Sequence, residues 1–151
     1  LLYDLPGFMD TRGTARSLVN ACFIKNIIEN ANSVKLVFVA GIDQITGDRG
    51  ESFKTLLSNT KKLISNCNKP LEVFSSLVVT KSHLNRAALP QFIKQKVDLS
   101  SREFEILEYL LESQQVEQMA RPKNSVIDDQ DRIKILNMIL NMGHHKIDYI
   151  D

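Results

Sequence analysis

A chain of 151 residues is long enough for one domain with its own hydrophobic core. Its 43% hydrophobic and 25% charged residues are those of an ordinary globular protein, and a net charge of +1 gives no electrostatic reason to expect a nucleic-acid partner. The longest apolar run is too short to cross a bilayer and no signal-peptide pattern opens the chain, so a cytoplasmic protein without a membrane segment is expected.

The chain opens on a short apolar run, Leu1-Leu2-Tyr3, that reads as a buried strand ending at Asp4. Pro6-Gly7 then makes a sharp turn, and Asp10-Thr11-Arg12-Gly13 forms a polar loop in which Asp10 or Thr11 can cap the next helix. Over residues 14–31 the spacing predicts that helix, with Ala15, Leu18, Val19, Cys22, Phe23 and Ile27 facing inward. Residues 34–40 are apolar apart from Lys35, the pattern of a parallel strand covered on both faces. A loop follows over residues 41–50, holding Asp43, Gly47, Asp48, Arg49 and Gly50.

The next helix is predicted over residues 52–67. Its stripe is Phe53, Leu56, Leu57, Thr60, Leu63, Ile64 and Cys67, and Asn68-Lys69-Pro70 stops it. Cys22 and Cys67 show neither CxxC nor His spacing, so they read as reduced core cysteines; a disulfide is the alternative. Residues 74–80 form a second apolar strand that runs into the polar segment Thr80-Lys81-Ser82-His83. Helix restarts at Pro90 with Phe92, Ile93 and Val97 inward. The spacing of Ser100 and Glu103 resembles a capping box, and the helix after it should bury Phe104, Leu107, Leu110 and Leu111. Residues 116–120 are a last strand. Asp128, Asp129 or Asp131 starts a last helix with Ile133, Leu136, Ile139 and Leu140 as its stripe. The adjacent His144 and His145 share no helix face and have no third ligand nearby, so they read as a tail and not as a metal site.

Strands that alternate with helices give an α/β, three-layer α/β/α domain with a mainly parallel sheet, whose polar loops gather at the carboxyl ends of the strands.

Two segments carry a family resemblance. Asp4-Leu5-Pro6-Gly7-Phe8-Met9-Asp10-Thr11 is similar to the Asp-Thr-Pro-Gly, apolar pair, Asp-Thr segment of the septin-like and immune-associated P-loop GTPases. Thr80-Lys81-Ser82-His83 resembles the (Asn/Thr)-Lys-x-Asp base-recognition motif of the same class. The resemblance covers nearly the whole chain in element order, but about fifteen residues in motif. It implies that Asp4 holds Mg²⁺ through water and that the Gly7 N–H, behind Pro6, approaches a terminal phosphate. Asp10 and Thr11 would belong to the switch that senses that phosphate. Thr80, Lys81 and His83 would face the base, the Lys81 stem lying along the purine ring. Arg49 matches an Arg in a loop near the surface where two such domains meet across their nucleotides, which implies a possible homodimer.

Departures from the family pattern are equally informative. The phosphate loop Gly-x-x-x-x-Gly-Lys-(Ser/Thr) does not occur in the chain, which therefore reads as a single partial domain, the back two-thirds, missing its first strands. Phe8 stands where many relatives keep the Gln that orients attacking water, so hydrolysis should be slow. His83 replaces the Asp that accepts from guanine's two adjacent N–H groups, and a neutral imidazole accepts at one nitrogen only. Two functions are consistent with this: a switch-type GTP-binding domain that uses Mg²⁺, or a nucleotide-independent interaction module.

Overall fold

A computed structural model describes residues 3–5, 14–63, 71–100, 102–120 and 126–143. Its framework is a three-stranded, wholly parallel sheet in the order β1-β2-β3. β1 spans Leu36–Gly41, β2 Ser75–Thr80 and β3 Val116–Met119. Between them lie α2 (Ile42–Thr46), α3 (Glu51–Leu63), α4 (Leu89–Lys96) and α5 (Glu105–Glu112), while α1 (Thr14–Asn30) precedes β1 and α6 (Asp129–Asn141) follows β3. The parallel pairing expected from the apolar runs is present: Phe38 stands opposite Leu77, and Leu77 opposite Val116.

Side chains alternate across a strand, so Phe38 and Ala40, Leu77 and Val79, and Val116 share one face. These side chains belong to the main core, with Ile45, Phe53 and Leu57, Leu89 and Ile93, and Ile106, Leu107, Leu110 and Leu111 from the helices. Ser76, Val78 and Glu117 alternate with them on the opposite face and are buried as well, which is why β2 reads as an unbroken buried run. Along this stretch α6 packs on β3 and β2. Its start is fixed where Asp128 accepts from the Gln130 N–H at 2.7 Å and Asp131 accepts from the Ala120 N–H at 3.1 Å. At its other end Lys35 Nζ donates to the carbonyls of Ile139 and Leu140, where a cation meets the negative end of the helix dipole.

Several expectations need correction. Tyr3, Asp4 and Leu5 form no strand; Asp4 is exposed, and Leu5 is the part of this segment that packs against the core. No strand among the described residues pairs with the outer edge of β1. In α1 the buried residues are Ile24 and Ile28, with Ile27 partly covered, while Leu18, Val19 and Phe23 are 66%, 67% and 51% exposed and the Ala15 side chain lies outside the described residues. Apolar residues surround that helix on nearly every side, so periodicity alone could not choose the face. Cys22 shares the outward side as a free, exposed thiol instead of a core cysteine; Cys67 lies outside the described residues.

α6 shows the same ambiguity. Ile133, Leu136 and Leu140 are exposed, and the covered side is Ile135, Met138 and Ile139, with Met142 just beyond the helix. Residues 42–46 form a short helix instead of loop, begun by the Gly41 N–H donating to Gln44 Oε1 at 2.8 Å. At Ser100 the hydroxyl and N–H both donate to Asp98 Oδ1, and the Glu103 side chain of the expected capping box lies outside the described residues. Those two bonds, the hydroxyl's first, hold the Asp98 carboxyl below its ordinary value.

Candidate functional site

Parallel register brings Gly41, Thr80 and Met119 side by side at one edge, so the segments that leave β1, β2 and β3 all emerge there. Carboxyl ends of parallel strands are where open α/β sheets hold ligands. Thr80 ends the middle strand half-buried, and the chain turns out of the sheet at Lys81, which takes φ +58°. A non-glycine residue in that region is uncommon and costs about 1–2 kcal/mol, so the surrounding loop must hold it there. Lys81 and His83 are both exposed at this edge, while Ser82 between them is buried.

Polar bonds account for that buried turn. Ser82 Oγ accepts from the Leu84 N–H at 3.2 Å, and Asn85 Oδ1 accepts from the Ala87 N–H at 3.1 Å. Short side-chain-to-backbone bonds of this kind fix turns without secondary structure. Two further bonds tie the loop to β3: Gln118 Nε2 donates to the Leu84 carbonyl at 2.8 Å, and the Arg86 guanidinium meets Glu117 Oε1 at 2.6 Å. None of Ser82, Arg86, Glu117 and Gln118 was singled out by sequence reasoning. The available signal was Glu117 itself, an acid inside a short strand, because a buried carboxylate needs a partner.

The segment after β1 contributes a second unusual turn. Asp48 and Arg49 take φ +45° and +54°, followed by Gly50 at +84°, immediately before α3. Arg49 is exposed. Thr80, Lys81, His83 and Arg49 thus lie on segments leaving the same end of the sheet. Asp4 is described only as an exposed residue outside the sheet. Pro6, Gly7, Asp10 and Thr11, with Phe8, lie outside the described residues.

Mg²⁺ held through water keeps most of its hydration shell and needs only one or two protein oxygens. Among the described residues no group of three or more His, Cys, Asp or Glu side chains converges to hold a metal directly. No described helix is long and apolar enough to cross a membrane. No family model matches the chain, and no curated protein and no solved structure matches it either.

Proposed function

We propose that this chain is the carboxyl-terminal two-thirds of a three-layer guanine-nucleotide-binding domain of the P-loop GTPase class, acting as a switch in the cytoplasm. The observation that carries this reading is Thr80-Lys81 at the carboxyl end of the middle strand of an all-parallel sheet, with Lys81 turned outward in a left-handed conformation beside exposed His83. In this reading Lys81 lies along the base and His83 faces its edge. Gly7 approaches the terminal phosphate, Asp10 and Thr11 sense it, and Asp4 holds Mg²⁺ through water. Bound Mg²⁺ would neutralise charge on the phosphate oxygens. Arg49 would reach a second copy across the nucleotides. With Phe8 in place of a water-orienting Gln, turnover would be slow.

A second reading has its own support: an interaction module that needs no nucleotide. His83 weakens guanine recognition, and Leu18, Val19 and Phe23 expose an apolar stripe of the kind that partner proteins cover.

Two measurements separate these readings. The phosphate loop and its Lys supply most phosphate contacts, so residues 1–151 alone should not bind a fluorescent GTP analogue even at micromolar concentrations, whereas the full-length protein should. Micromolar binding by the 151-residue chain would mean that the nucleotide site has been misplaced; no binding by full-length protein would favour the module.

In the full-length protein, His83→Asp should raise the preference for GTP over ATP. A carboxylate offers two oxygens to guanine's adjacent donors, while toward adenine it meets one donor and the repulsive ring N1. One added charge-assisted bond contributes roughly 1.5–3 kcal/mol, so the ratio should rise about tenfold or more. Competition of GTP and ATP against a labelled nucleotide reads it. An unchanged ratio would show that His83 does not face the base.

A further inference from the structure

The loop after β2 is gripped from both faces of the sheet by two consecutive residues of β3. Glu117 and Gln118 point to opposite faces because side chains alternate along a strand. Glu117 takes Arg86, and Gln118 takes the Leu84 carbonyl. Neither partner is close in sequence, so the bonds fasten two separate chain segments at the edge where Lys81 and His83 stand. Glu117 is only 4% exposed, and its Oε2, like Gln118 Oε1, finds no hydrogen-bond partner among the described residues. A buried carboxylate in that state leans on its one cation, while Arg86 extends from a half-exposed position to reach it.

We propose that Glu117 and Gln118 are positioning residues for the ligand loop, a clamp that fixes Arg86 and Leu84 and thereby sets where Lys81 and His83 are presented. This rests on the nucleotide reading for the identity of the ligand, but not for the clamp. The loop has two reasons to need it. Lys81 is held in a conformation that residues other than glycine disfavour, and Ser82 is buried between two exposed neighbours. Released from β3, the segment from Lys81 to Ala88 would keep its Ser82 and Asn85 turns, the backbone bonds that lead from Asn85 into α4 and the packing of Leu84 on the core, none of which fixes Lys81 or His83 directly.

Hydrogen exchange on the 151-residue chain tests the clamp. Arg86→Ala removes the charge-assisted bond, and the near-isosteric Glu117→Gln strips the negative charge from it, so amides in residues 81–88 should exchange about tenfold or more faster in the first and by a smaller factor in the second, while those of β1 and α5 keep their protection. Arg86→Lys, which keeps a charged donor, should restore most of the protection. Unchanged exchange in 81–88, or acceleration spread equally over β1 and α5, would overturn the clamp.

In the full-length protein, affinity for a fluorescent GTP analogue should fall about fivefold or more with Arg86→Ala and recover with Arg86→Lys. A loosened loop with unchanged affinity would overturn the positioning role. If the unsubstituted full-length protein ignores the analogue, the nucleotide reading falls, and the exchange result alone judges whether β3 holds the loop.

Discussion

Phe53→Ala is expected to destabilise the chain by about 3–5 kcal/mol, the usual cost of emptying an aromatic position in a core. Phe53 is 1% exposed on α3, and its ring meets Phe38 of β1 edge-on, with centroids 6.4 Å apart and planes at 79°. That geometry places the positive edge of one ring on the negative face of the other, adding roughly 0.5–1.5 kcal/mol beyond burial. The substitution therefore loses apolar transfer, leaves a cavity and breaks the pair that pins α3 to the sheet. Domains of this size are stable by only about 5–15 kcal/mol, so a large fraction of the margin goes. Val39→Ala on the same strand as Phe38 is the control. Val39 is 60% exposed and should change stability by no more than about 0.5 kcal/mol. Urea unfolding with an unchanged slope would measure both. Equal effects would mean that the core does not lie on the Phe38 face of the sheet.

The contrast between Phe38, buried, and Val39, exposed beside it, also shows what the sequence could and could not convey. Strand positions were legible from the mainly apolar runs ending at Ala40 and Thr80, but cover on both faces holds for β2 alone, since Val39 of β1 is 60% exposed. α5 was legible too: Leu107, Leu110 and Leu111 repeat at helical spacing against charged neighbours, and all are buried. α1 and α6 were not, because each carries apolar residues on two sides. In α1 the pair Ile24 and Ile28 competes with Leu18, Val19 and Phe23, and helical periodicity weighs them equally. Tertiary packing made the choice, and packing is not written in spacing.

The site divides in the same way. Thr80-Lys81 at a strand end was readable from local order. The left-handed turn at Lys81 was not, since nothing about a lysine announces φ +58°. Nor was the pairing of Arg86 with Glu117, which depends on β3 returning beside β2. Local chemistry marks where a loop begins, and long-range contacts decide how it is held.

Gly50→Ala is expected to be the most damaging single-methyl change in the loop between β1 and α3. Gly50 has φ +84°, where an L side chain costs about 1–2 kcal/mol. A Cβ there would also sit 2.9 Å from the Ile45 carbonyl oxygen and 3.0 Å from Phe104 Cζ. Neither neighbour yields easily. Ile45 belongs to α2 and is fully buried, and the Phe104 ring is part of the core. Overpacking of that kind costs about 1–3 kcal/mol, so the total should reach about 2–5 kcal/mol.

The strain should not stay local, because Asp48 and Arg49 precede Gly50 in left-handed conformations of their own and the helix of Phe53 follows it directly. Gly47→Ala, three residues earlier, is the discriminating partner. Its φ is −71° and nothing lies within 4 Å of the added carbon, so the methyl should be neutral or stabilise by about 0.4–1 kcal/mol through the unfolded chain. Thermal unfolding of the two variants reads the difference: Gly50→Ala should lower Tm by roughly 5–15 °C while Gly47→Ala holds or raises it. If both leave Tm unchanged, the three-residue left-handed turn is not how the chain enters α3, and Arg49 does not stand where the dimer reading needs it.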